Sequence, residues 1–145
     1  YYIPHIVREI EGQDSLDTRF YQKQYTKVDT KHFETIVDGM WRGVNRDGTC
    51  RGAYLKGLDV CGKTGTAQNK GDDHSVFLGF APMKKPKIAI SVYVENGGFG
   101  ADYGVPIGAL MMEQYLNGEL SPESEEKAKS FEARHLISVD NAIAK

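Results

Sequence analysis

The most chemically loaded stretch of the sequence is Gly62-Lys63-Thr64-Gly65-Thr66-Ala67-Gln68. Lys63 supplies an ammonium whose apolar stem can be buried while the charge reaches into a cleft. Thr64 and Thr66 supply hydroxyls that can donate to a carboxylate. On a strand, residues two apart share a face, so both hydroxyls can address one ligand. Gly65 has no side chain and lets a second backbone come close. An edge strand built this way can hold an extended peptide by strand addition. Together these groups describe a site for a short peptide ending in a carboxylate. That reading requires Lys63 and Thr66 on the same side of the strand, beside an open groove.

The elements that must position this stretch follow from hydrophobic spacing. Ile3, Ile6, Val7 and Ile10 among polar neighbours predict a strand over 2–11, and 12–26 reads as a long loop. Asp29 or Thr30 can cap a helix on which Phe33, Ile36, Val37, Met40, Trp41 and Val44 form an apolar face, read as core packing. Asn45, Asp47 and Gly48 end that helix. Three apolar strands are predicted over 58–68, 75–81 and 87–95. Pro82-Met83-Lys84-Lys85-Pro86 is a tight turn, and such short connections favour an antiparallel meander. Gly97, Gly98 and Gly100 make a flexible corner. A second helix with Pro106 in its first turn runs to about Leu116 and stops at Asn117-Gly118. After Pro122 a solvated helix and tail carry Phe131, Leu136 and Ile137 as sparse apolar points. The fold class predicted is α+β: an antiparallel β-sheet flanked by helices. The chain divides into a partial domain over 1–118 and a charged helix and tail over 119–145.

Composition narrows the function. With 40% hydrophobic and 26% charged residues, the chain is globular rather than disordered. A net charge of -2 gives no basic footprint, so no nucleic-acid partner is expected. There is no apolar run long enough for a transmembrane helix. The chain opens on Tyr1-Tyr2-Ile3, which suggests a trimmed or processed piece with any membrane anchor upstream. Cys50 and Cys61 could be a disulfide pair or two free thiols, and free thiols are the preferred reading. His5, His32, His74 and His135 lack metal-ligand spacing and are read as surface or loop residues, with His74 a candidate for the rim of the cleft. Neither a metal nor a cofactor is expected. A phosphate loop around Lys63 is set aside on its glycine spacing.

Lys-Thr-Gly alone occurs by chance in roughly a few per cent of chains this long. Its surroundings make it specific. Asp38-Gly39-Met40, Asp47-Gly48-Thr49, Gly62 through Gln68, Phe77-Leu78-Gly79-Phe80-Ala81-Pro82 and Val94-Glu95-Asn96-Gly97-Gly98 follow in order. With Lys-Thr-Gly as one motif of the penicilloyl-serine transferases, the chain over about 2–118 resembles the end of a class B penicillin-binding protein. The elongation-type penicillin-binding protein 2 is the nearest in pattern.

The resemblance implies a peptidoglycan D,D-transpeptidase that binds the D-Ala-D-Ala end of a stem peptide and is trapped by β-lactams. It implies catalytic roles for Lys63, in the proton network of a serine, and for Thr66, whose backbone N–H would form half of an oxyanion hole. Thr64, Gly65 and Thr66 would bind substrate. A polytopic glycosyltransferase partner and the periplasmic face of the bacterial inner membrane are implied as well. The family's serine motif, Ser-x-x-Lys, and its Ser-x-Asn precede the Lys-Thr-Gly strand. Here Ser124-Glu125-Glu126-Lys127 fits by letters only, after the strand and in a polar tail, and Ser138-Val139-Asp140 lacks the Asn. The chain alone is therefore expected not to form an acyl-enzyme. A serine β-lactamase or carboxypeptidase, and a β-lactam-sensing receptor domain, are the alternatives. The match over 79–98 argues against a β-lactamase or carboxypeptidase.

Overall fold

A computed structural model describes residues 1–12 and 16–134. His135, Leu136, Ile137 and Ser138–Asp140 lie outside the described residues, as does part of the loop predicted over 12–26. The chain forms two compact units, Tyr1–Phe33 and Glu34–Lys145.

In the first unit residues 2–11 form no strand. The reason is visible in their spacing. Apolar residues at 3, 6, 7 and 10 do not alternate with a period of two, and Pro4 removes a backbone donor. Ile6 and Ile10 are exposed. The unit is held instead by local contacts. Gln24 N–H donates to Tyr1 O at 2.6 Å, and the His5 and Phe20 rings lie 4.8 Å apart. A single 3-10 turn, Thr18–Phe20, is started by Asp17, whose carboxylate accepts from Arg19 N–H.

Helix α1 spans Lys31–Asn45. Its apolar stripe is not the core element its spacing suggests. Only Val44 is buried, while Phe33 is 44% and Ile36 61% exposed. The helix's last turns reach the residues just ahead of Cys61. Trp41 Nε1–H donates to Asp59 Oδ1 at 3.2 Å, and Asn45 Nδ2–H donates to Val60 O at 2.9 Å.

Three strands make the sheet: β1 (Cys61–Ala67), β2 (His74–Ala81) and β3 (Ile88–Val94). They pair antiparallel in the order β1-β2-β3, the predicted meander. Helix α2 (Gly104–Asn117) covers one face, burying Val105, Ala109 and Met112 at helical spacing against β2 and β3. Gly118 ends α2 in the left-handed region at φ 82°, a conformation that favours glycine. Helix α3 (Pro122–Glu132) packs on α2, is capped by Ser121 and is mostly exposed, as its composition predicts.

The centre of the core is Phe77, fully buried on the α2 face of β2. Its ring fills space that three glycines leave open. A Cβ at Gly62, Gly79 or Gly108 would come within 2.6, 2.7 or 2.5 Å of it. The sequence can place a large ring here only because β1, β2 and α2 each give up a side chain at the contact. Gly62 immediately precedes Lys63, so this packing fixes the height of the Lys-Thr-Gly strand against the sheet.

Candidate active site

Strand β1 pairs with β2 on one side only, so among the described residues its other edge is free. The register sets Lys63 opposite Leu78, Thr64 opposite Phe77, Gly65 opposite Val76 and Thr66 opposite Ser75. Thr64 and Thr66 therefore share the face that Phe77 occupies, as expected of alternate residues. Lys63 and Gly65 belong to the opposite face, with the half-exposed Leu78. Alternation thus corrects the requirement that Lys63 and Thr66 lie on one side. What the ammonium and the two hydroxyls share is the free edge, not a face. Lys63 bends along that edge, and its Nζ donates to Thr64 O at 2.8 Å. Lys63 and Thr66 are exposed, and Thr64 and Gly65 are half-buried.

Two loops wall the strand. The segment after α1 brings Thr49 Oγ1 to 2.8 Å from Thr64 Oγ1. The segment 95–103 crosses over Thr64 and Gly65. A Cβ at Gly100 would lie 2.6 Å from Val76 O, 2.8 Å from Gly65 O and 3.0 Å from Thr64 Cβ, so only glycine lets the chain pass. The corner predicted as flexible is tied down. Gly98 N–H donates to Asp73 O at 2.8 Å. The buried Ser75 hydroxyl donates to Phe99 O at 2.8 Å and accepts from Gly104 N–H at 2.9 Å. His74 sits at the end of β2 opposite Ala67, where its Nδ1 accepts from Asn96 N–H at 3.0 Å.

Both cysteines are free and buried. Burial pushes the Cys50 thiol up. The neighbouring Thr49 and Thr64 and the charge of Lys63 oppose that rise. Cys61 has Lys63's parity on the strand but is sealed in the core. Burial, and then the charge of Asp59, push its thiol to about 11.

Thr49, Cys50, Ser75 and Gly100 are the contributors to this site that sequence reasoning did not assign. Thr49 closes the Asp47-Gly48-Thr49 segment, and only the fold brings it to Thr64.

The phosphate-loop alternative needs a different argument from spacing. Four residues separate Gly57 from Gly62-Lys63-Thr64, so the letters do fit that pattern. The structure excludes it. Lys63 and Thr64 lie inside a β-strand, whereas a phosphate loop needs the Lys and Thr to open a helix whose N–H groups face the phosphates.

Ser124 and Lys127 lie on α3, which packs on α2. Ser124 N–H donates to the Ser121 cap. The Ser124 hydroxyl and the Lys127 charge help hold the Glu113 carboxyl below its usual range against the opposing effect of burial. These are the tasks of a helix start, not of a nucleophile. Three concavities lie along α2, two of them reaching α3, and none of the three is lined by residues 63–66.

An antiparallel sheet backed by helices, with Lys-Thr-Gly-Thr on its free edge, is the arrangement expected of the penicillin-binding transpeptidases. Residues 1–114 match the penicillin binding protein transpeptidase domain, and the chain belongs to that family. Over 138 residues it is 31% identical to the peptidoglycan D,D-transpeptidase MrdA of Haemophilus influenzae, covering 81% of this chain. Over 128 residues it is 30% identical to the peptidoglycan D,D-transpeptidase PbpA of Mycobacterium tuberculosis, covering 80% of this chain. It spans 21% and 26% of those proteins' own lengths. The crystal structure of Pseudomonas aeruginosa PBP2 in complex with WCK 5153 superposes with a TM-score of 0.62 at 34% identity, covering 85% of this chain and 28% of that one. The likeness to the penicillin-binding protein 2 type read from the sequence is thereby borne out.

Proposed function

We propose that this chain is the C-terminal part, over 1–118, of a serine-type peptidoglycan D,D-transpeptidase, followed by a charged helix and tail. The observation that carries the reading is the placement of Lys63-Thr64-Gly65-Thr66 on a strand edge left free by the sheet, in a chain of the transpeptidase family.

In this reading the D-Ala-D-Ala end of a stem peptide lies along β1. Thr64 and Thr66 donate to its carboxylate, and Gly65 lets the peptide backbone approach. Lys63 polarises the proton network of a serine supplied from outside these residues. That serine attacks the peptide carbonyl, and D-Ala leaves as an amine that takes up a proton. The amine of a neighbouring stem peptide then attacks the acyl-enzyme and closes the cross-link. Thr66 N–H supports the oxyanion of each tetrahedral intermediate, a contribution of about 3 kcal/mol for one such donor. β-Lactams imitate the donor peptide and stop at the acyl-enzyme; the Mycobacterium tuberculosis penicillin-binding protein A, 28% identical to this chain with a TM-score of 0.55, was solved as an imipenem acyl-enzyme complex.

The whole protein acts at the periplasmic face of the bacterial inner membrane, held by an N-terminal anchor and paired with a polytopic glycosyltransferase. The chain by itself carries no reactive serine. Its one Ser-x-x-Lys, at Ser124–Lys127, is spent on α3, and it has no Ser-x-Asn. Fluorescent penicillin tests this directly. The whole transpeptidase takes the label and the isolated chain does not. Covalent labelling of the isolated chain would overturn the assignment.

A further inference from the structure

We propose that Thr49 is a positioning residue for the Thr64 hydroxyl and so sets how strongly the site prefers a ligand with a free carboxylate. The proposal rests on the reading above that Thr64 receives that carboxylate.

Thr49 is brought to its place by a tight fold of backbone on backbone. A Cβ at Gly48 would collide with Gly43 Cα and O, so the loop closes on the last turn of α1 only because Gly48 has none. Cys50 N–H then donates to Gly43 O at 3.1 Å. Gly43 is itself pressed to β1, where its Cβ would lie 3.2 Å from Gly62 O. The loop is thus pinned to the helix and the helix to the strand. The result is the 2.8 Å contact between the hydroxyls of Thr49 and Thr64.

A threonine hydroxyl has one proton and two lone pairs, and alone it rotates freely. Paired hydroxyls adopt one of two arrangements. Either Thr64 donates to Thr49 and has no proton for a ligand, or Thr49 donates to Thr64 and leaves the Thr64 proton free. A carboxylate accepts and cannot donate, so its arrival selects the second arrangement. Thr49 then fills one Thr64 lone pair, which fixes the direction of the remaining O–H and polarises it. Hydrogen bonds to a charged acceptor are roughly twice as strong as neutral ones, so the anionic ligand gains most. An esterified ligand needs much less from that proton.

If Thr49 merely staples its loop to β1, loss of its hydroxyl slows all ligands alike. The test uses the whole transpeptidase and measures acylation rate constants for a penicillin and for its methyl ester. Thr49→Val is expected to slow the free acid about tenfold and to leave the ester rate and the thermal midpoint unchanged. Thr49→Ser restores the acid rate. Thr64→Val loses the same preference, and Thr49→Val/Thr64→Val is no slower than Thr64→Val alone. Equal slowing of acid and ester, or a double variant slowed by the product of the single effects, overturns the proposal. If Thr64→Val keeps the full preference for the acid, the carboxylate role of Thr64 falls, and this proposal falls with it. Should the valine variant fail to fold, Thr49→Ala against Thr49→Ser carries the same comparison.

Discussion

The ring of Phe77 stands where a side chain at Gly62 would be: a Cβ there would meet Cε2 at 2.6 Å. This one contact joins the core to the site, because Gly62 is the residue before Lys63. Gly62→Ala is expected to cost about 1–3 kcal/mol through overpacking, and to displace Lys63 with it. Urea unfolding of the whole transpeptidase measures the first effect and fluorescent-penicillin labelling the second. Phe77→Ala costs about 3–5 kcal/mol by the cavity it leaves. Gly62→Ala with Phe77→Ala should cost less than the sum, since the second change removes what the first collides with.

Gly100 carries the corner over Gly65 and Thr64 with no room for a methyl group. Gly100→Ala must lift the corner off the strand. The expected outcome is a loss of acylation rate larger than the loss of stability. Stopped-flow acylation and thermal unfolding, run on the same preparation, give the two quantities.

Ser75 anchors the same corner from beneath. Its buried hydroxyl serves Phe99 O and Gly104 N–H, so Ser75→Ala leaves both without that partner. The cost is about 1–3 kcal/mol for the buried Gly104 N–H left unpaired. Hydrogen exchange at Gly104 should speed up in this variant, and an unchanged exchange rate would contradict the assignment.

Cys61 makes stability depend on alkaline pH. Its thiol ordinarily ionises near 9.0 and in the folded chain near 11. The folded state therefore keeps the proton that the unfolded state releases. Stability is full below pH 9 and falls between pH 9 and 11, by about 1 kcal/mol per pH unit. Cys61→Ala should remove that fall, so that in thermal unfolding between about pH 9 and 11 the wild type loses stability relative to the variant, and a difference that does not change with pH would contradict the assignment.

Much of the fold was legible in residue spacing, and the limits are physical. Strands β2 and β3 and helix α2 show because apolar runs, Pro82–Pro86 and Asn117-Gly118 mark them locally. Lys63-Thr64-Gly65-Thr66 reads as a ligand strand from its residue types, and the pairing puts it at the edge. The segment over 2–11 misleads because scattered isoleucines resemble a strand without giving it a partner. The α1 stripe misleads because periodicity says which face is apolar, not whether anything covers it. The contact of Thr49 with Thr64 could not be read at all. It depends on Gly48 meeting Gly43 across a loop, a distance that letters do not carry. Ser75 is hidden likewise, as a polar residue in an apolar strand whose two partners come from a distant corner.

The most direct measurement is a crystal structure of the whole transpeptidase acylated by a penicillin. The drug's carboxylate is predicted within hydrogen-bond reach of the Thr64 and Thr66 hydroxyls, with the acyl oxygen against Thr66 N–H and Lys63 facing the modified serine. A carboxylate held elsewhere, with the β1 edge empty or covered by another strand, would contradict the account.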